Sequence, residues 1–200
     1  MATVTPNYSW PVPTSTDLVK DGATAIEALG DAIDATVFGL GSSSLTLISA
    51  TTVGSAVASV TVSSAFSSTY ANYKIIWTGG SSSLADTNVK MTLGSTSTAY
   101  YSIRSGYRYA ASGFDFVDAN NGSFWIPTGT IGTNTNLNME LLQPNAAAIT
   151  MFSSTWQSGT GIAFSAGYQN SSTQFTAFTL TADSGTFTGG TIRVYGYKNS

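Results

Sequence analysis

The sequence predicts a mainly β protein: an antiparallel β-sandwich of jelly-roll type over residues 42–200, preceded by an extended arm (1–14) and one α-helix forming a short stem (15–41). Three observations predict it. Short stretches rich in Val, Ile, Thr, Tyr and Phe recur roughly every ten to fifteen residues from Leu45 onward. Turn signals such as Gly79-Gly80-Ser81, Asn120-Asn121-Gly122 and Gly189-Gly190 separate them, with no helical pattern between. Helical periodicity is confined to the N-terminal region.

The arm comes first. Pro6, Pro11 and Pro13 surround Tyr8 and Trp10, and proline at that density favours an extended, polyproline-like chain. Two readings stay open at this point. The segment frays as a free terminus, or it attaches the molecule to a partner through Tyr8, Trp10, Pro11 and Pro13, because two large rings are costly to leave in water.

The stem follows. Thr14-Ser15-Thr16-Asp17 fits a capping box, Asp17 and Asp21 sit near the positive end of the helix dipole, and Gly39 and Gly41 supply the stop. Val19, Ile26, Ile33 and Leu40 fall seven apart, with Gly22, Leu29 and Thr36 at the paired positions. A lone helix of this length is marginal in water, and Gly22 and Gly30 each cost it about 1 kcal/mol relative to Ala. It therefore packs on its own β-domain or on other copies, with Val19, Ile26, Leu29, Ile33 and Leu40 as the oligomerisation stripe. The heptad does not separate dimer from trimer. The stem also holds Asp17, Asp21, Glu27, Asp31 and Asp34 against a single base, Lys20.

The strands come last. Candidates are Leu45–Ser49, Val57–Val62, Tyr73–Thr78, Val89–Leu93, Tyr100–Arg104, Ser123–Pro127, Leu137–Leu142, Ile149–Thr155, Ile162–Tyr168, Phe175–Ala182 and Thr191–Lys198. Many strands without intervening helices indicate a sandwich.

Composition narrows the function. Only 8% of residues are charged, against about 25% in ordinary soluble proteins, and the net charge is −3. No basic footprint exists, so nucleic acid is not an expected partner. The chain has no Cys and no His, which removes thiol and imidazole nucleophile–base pairs and the commonest metal ligand. No cofactor is expected. No signal-peptide pattern opens the chain and no apolar run approaches the ~20 residues of a membrane span, so the expectation is synthesis in a cytoplasm without membrane insertion.

A two-carboxylate glycosidase needs only two acids. Asp115 and Asp118 lie in Gly113-Phe114-Asp115-Phe116-Val117-Asp118, while Asp86, Glu140 and Asp183 stand apart. Three residues apart in an extended segment, Asp115 and Asp118 point to opposite faces. Solvated loop acids are the better reading, and no catalytic residue is assigned. The unusual feature is aromatic: Tyr100, Tyr101, Tyr107, Tyr109, Phe114, Phe116, Phe124 and Trp125 crowd one window with Arg104 and Arg108. Rings beside Arg stack on sugars or form protein interfaces, which makes Tyr101, Tyr107, Tyr109 and Trp125 candidate glycan or protein contacts.

The opening, Met1-Ala2-Thr3-Val4-Thr5-Pro6-Asn7 through Trp10-Pro11-Val12-Pro13-Thr14-Ser15-Thr16-Asp17 to Ala28-Leu29-Gly30-Asp31-Ala32-Ile33-Asp34, resembles the N-terminal segment of tailed-bacteriophage virion proteins of the tail-fibre, minor tail and capsid decoration type. More loosely, Phe66-Ser67-Ser68-Thr69-Tyr70-Ala71-Asn72-Tyr73 and Gly190-Thr191-Ile192-Arg193-Val194-Tyr195-Gly196-Tyr197 are similar to sandwich domains of phage head and tail proteins. The resemblance implies a homotrimeric virion component attached to other virion proteins by its N-terminal segment, with a host-surface glycan as a second candidate partner. Long fibres carry shaft repeats that this chain lacks, so a compact decoration protein or short fibre fits better.

Overall fold

The structure is a computed structural model that describes residues 3–12, 18, 21–41, 45–108, 114–131, 133–158 and 161–198. The chain divides into two compact units, Met1–Ser44 and Leu45–Asn199.

In the first unit the arm is not a single extended strand. β1 (Thr3–Val4) and β2 (Pro11–Val12) pair antiparallel, Thr3 opposite Val12 and Val4 opposite Pro11. The backbone N–H of Thr5 donates to the Trp10 carbonyl at 2.9 Å, that of Ser9 to the Thr5 carbonyl at 3.0 Å, and Ser9 takes a left-handed φ of 55°. The physical reason is that Pro6, with its fixed φ and missing donor, suits a turn as well as it suits an extended chain. Helix α1 (Gly22–Gly41) begins later than residue 15, after a turn in which the Asp21 N–H donates to the Leu18 carbonyl. Trp10 folds back onto it: its indole Nε1–H donates to Thr36 Oγ1 at 2.9 Å, and that hydroxyl donates to the Ala32 carbonyl at 2.8 Å.

The second unit runs β3 (Leu45–Thr52), β4 (Ser59–Val62), β5 (Tyr70–Ser82), β6 (Asn88–Leu93), β7 (Tyr100–Arg108), β8 (Phe114–Gly122), β9 (Trp125–Ile131), β10 (Asn134–Leu142), β11 (Thr150–Ser158), β12 (Gly161–Gln169), β13 (Phe178–Ala182), β14 (Phe187–Thr188) and β15 (Thr191–Lys198). It forms two packed antiparallel sheets. The larger has the order β3-β15-β5-β10-β11-β12-β7-β8, with β14 paired to the end of β5; the smaller is β4-β13-β6-β9. Strand β9 passes from one to the other: Trp125 lies opposite Met91 in the small sheet, and Thr130 opposite Thr135 in the large one.

Alternation builds the core. Tyr73, Ile75 and Trp77 of β5, Leu137, Met139 and Leu141 of β10, and Ile192 and Val194 of β15 face Val89, Met91, Leu93, Phe178, Leu180 and Trp125 from the small sheet. Full burial of such a side chain contributes about 1.5–3 kcal/mol. Trp77 meets Phe187 edge-on at 5.0 Å. Gly190 closes over that indole with φ +81°, and a Cβ there would stand 2.6 Å from the Thr78 carbonyl, so only glycine fits. Tyr73, though buried, is satisfied: its hydroxyl donates to the Ser67 carbonyl and accepts from the Ser67 N–H, each at 2.7 Å.

Candidate functional site

Strands β11, β12 and β7 lie side by side on the larger sheet, and their register sets the site. Tyr168 stands opposite both Met151 and Tyr101; Ala166 stands opposite Ser153 and Ile103; Phe164 stands opposite Thr155 and Ser105. All of these point away from the small sheet. The Tyr101 and Tyr168 rings stack 4.9 Å apart and only 9° from parallel. Gly167 permits this, because a Cβ there would collide with the Tyr101 carbonyl of the neighbouring strand. The result is an open groove of about 400 Å³ floored by Ala166 and Gly167 and walled by Tyr101, Tyr168, Ile103 and Met151, with Asn120 at its edge. Across Ala166 a second hollow of about 240 Å³ lies between Phe164 and a polar cluster.

That cluster is internally satisfied. Lys74 Nζ donates to Glu140 Oε1 at 2.7 Å, and the Tyr197 hydroxyl donates to Glu140 Oε2 at 2.6 Å. The bond to Glu140 and partial burial push the Tyr197 hydroxyl up to about 12. On the small sheet, Asp183 pairs with Lys90 at 2.5 Å, and this bond holds its carboxyl below the usual range. A glycosidase acid needs the opposite shift, so Asp183 is not placed as one. Asp115 and Asp118 fall in β8, but their side chains lie outside the described residues. Among the described residues no group of three His, Cys, Asp or Glu could hold a metal, and no helix is long and apolar enough to cross a membrane.

The reverse side of the same strands is core. Trp125 is fully buried, meeting Tyr100 edge-on at 5.2 Å and Phe152 at 4.5 Å, and its Nε1–H donates to the Tyr168 carbonyl. It is therefore not a surface contact: on β9 it faces the interior, where a large ring fills the space between sheets. Tyr101 is in the groove. Tyr107 pairs with Ile162 along the strand, its side chain outside the described residues, as is all of Tyr109.

In the first unit, Tyr8 is exposed and stacks on half-buried Trp10 at 5.3 Å. Pro11 pairs in the hairpin, and Pro13 lies outside the described residues. Of the stem stripe, Ile26 is exposed, Leu29 and Ile33 are half-buried, and Val19 and the Leu40 side chain lie outside the described residues, as does the Thr14–Asp17 cap.

Sequence reasoning missed Tyr168, Met151, Ile162, Phe164 and Ile103 as surface residues. The signal was present but points the other way. In Ile162-Ala163-Phe164-Ser165 the large apolar residues would ordinarily face the core, yet Ile162 and Phe164 are exposed and Ala163 and Ser165 buried. The interior behind β12 is already filled by Trp156 and Trp125, and the Trp156 Nε1–H donates to Ser165 Oγ at 3.0 Å. Only small side chains fit there.

No family model matches the chain, and neither the curated proteins nor the solved structures contain a significant match.

Proposed function

We propose that this chain is a non-enzymatic structural component of a tailed-bacteriophage particle: a homotrimeric capsid decoration or cement protein, or a short fibre, held to other virion proteins through its N-terminal segment. The observation that carries this reading is the outer face of the larger sheet at β12 and β7, where Ile162, Phe164, Tyr168 and Ile103 stand in water while Ala163, Ser165 and Ser102 are buried behind them. Contiguous apolar surface of that kind marks an assembly surface. The N-terminal resemblance supplies the kind of assembly.

The strand order supports a jelly-roll type within this reading. β3-β15-β5-β10 and β4-β13-β6-β9 are two four-stranded sets, and the chain passes from one to the other at every step except β6 to β9. The hairpins β7–β8 and β11–β12 are then insertions that widen one sheet. Such double-sheet rolls are common in viral capsid domains.

A second reading, a receptor- or glycan-binding module displayed on the virion, is favoured by the stacked Tyr101–Tyr168 pair beside Asn120, because flat rings with a polar rim suit sugars. The test is quantitative protein analysis of gradient-purified particles together with binding of the pure protein to host surface polysaccharide. A fixed copy number of the 20.7 kDa chain with no retention of polysaccharide supports the structural role. Retention that is lost in Tyr168→Ala supports the second reading. Absence from particles, or release of reducing sugar by the pure protein, overturns the proposal.

A further inference from the structure

We infer that the outer face of β11-β12-β7 is where one copy of this chain meets another. Three observations carry the inference. First, the alternation is inverted on β12 and at Ile103 of β7: Ile103, Ile162, Phe164 and Tyr168 are between 38% and 57% exposed, while Ser102, Ala163 and Ser165 on the same strands are buried. Met151 of β11, its neighbour Leu142 of β10 and Ile149 just before β11 extend that exposed apolar set, at 41% to 52%. A sheet face meant for water carries the polar set outward, so this one is patterned for burial on both sides.

Second, the area fits. An aromatic side chain carries about 150–250 Å²; on that scale seven large side chains at about half exposure leave roughly 500–900 Å² of mainly apolar surface. That is at or above the largest patch on a typical monomer, about 300–600 Å², and in the range of the ~800 Å² that each partner gives to a standard interface.

Third, the charge suits a second copy over a charged partner. None of the seven is an acidic or basic side chain. Among the described side chains bordering the face, Lys74 and Glu140 neutralise each other at 2.7 Å, and Tyr197 occupies the second carboxylate oxygen. Two such faces meet without like-charge repulsion although each chain carries −3, and an interface core depleted of charge is the usual composition. The groove beside the Tyr101–Tyr168 stack and the projecting Phe164 give the face a hollow and a ridge, so that the ridge of one copy enters the hollow of the next in the head-to-tail contact of a closed ring.

The inference rests on the proposed structural role only for why copies assemble. A chain that associates through this face but is missing from virions leaves the inference standing and removes that role.

The test uses the full chain in sedimentation equilibrium at micromolar concentration. Wild type is expected at twice 20.7 kDa or a higher integer multiple. Met151→Lys with Phe164→Lys should weaken association at least 100-fold while retaining the far-UV circular dichroism of the β unit. Ile26→Asp with Ile33→Asp, on the helix, should weaken it less. Because two lysines on one sheet could disturb folding, a second measurement leaves the apolar side chains of the contact unchanged. The chain has no cysteine, so Ser153→Cys puts a single thiol on this face and Ser59→Cys puts one on an exposed position of the small sheet. A short bismaleimide should join copies of the first at least five-fold more efficiently than copies of the second. A monomeric wild type, an undiminished mass in the lysine variant, or equal crosslinking at both positions overturns the inference.

Discussion

Tyr100 shows how much one buried hydroxyl can hold. It accepts from the Leu93 N–H at 2.7 Å and donates to the Thr96 carbonyl at 3.1 Å, closing the turn between β6 and β7, while its ring packs edge-on against Trp125. Burial pushes its hydroxyl pKa up to about 12, because the phenolate would lose its water. A group whose folded value lies above its unfolded value of ~10 stabilises the fold fully below pH ~10, and that contribution falls as pH rises towards 12. The two-unit difference amounts to roughly 2–3 kcal/mol. Urea melts should therefore show a steep loss of stability between pH 10 and 12. Tyr100→Phe should lose about 1–2 kcal/mol at neutral pH from its missing bonds, yet show a shallower alkaline decline. Part of the slope should remain, because Tyr197 is also shifted to about 12. An unchanged slope in Tyr100→Phe would refute this assignment. At this scale the sequence is a partial guide. The aromatic window was visible, but its rings divide between two sides of the sandwich, and adjacency in sequence cannot say which side Tyr101 and Trp125 take.

Among elements, the hairpin and helix of the first unit depend on one contact that no local pattern announces. The prolines, the helix and its glycine stop are legible within a few residues. Trp10 and Thr36 are 26 apart, and their bond requires the hairpin turn at Pro6–Ser9 to aim the indole back. Thr36 stands at a paired heptad position in the sequence; as an acceptor on α1 it has a different task. The isolated helix is marginal, so removing its cover should melt it in part. Trp10→Ala should reduce helical circular dichroism near 222 nm and cost about 1–3 kcal/mol through lost ring burial. Thr36→Val should cost about 1 kcal/mol, since the ring still packs. Spectra identical to wild type for both variants would mean that the contact does not hold the helix. The same scale explains the inverted face of β12. Strand existence and alternation could be read from Ile162 to Tyr168, but which half faces inward is decided by Trp125 and Trp156, which belong to other strands.

At the scale of the molecule, the two-sheet β architecture and the single N-terminal helix follow from composition and spacing, whereas strand order does not. β5 pairs with β10 and β15, partners distant in the chain, and nothing between adjacent residues encodes that choice. The division into units leads to the last prediction. Every residue of the buried core cluster lies at Val53 or beyond, and β3, whose register with β15 runs from Leu45 to Thr52, begins at the unit boundary. A chain starting at Leu45 should therefore fold, with a melting temperature within a few degrees of the β transition in the full protein. Its self-association should persist if copies meet through the outer sheet face, since that face belongs wholly to this unit. Its incorporation into particles lacking the wild-type protein should fail, because the hairpin with Tyr8 and Trp10 is gone. These outcomes separate the two roles of the molecule. A truncated protein that associates but does not join particles places attachment in the first unit and assembly in the second. One that decorates particles as fully as the intact chain moves attachment into the β unit and removes the N-terminal segment from the proposed function.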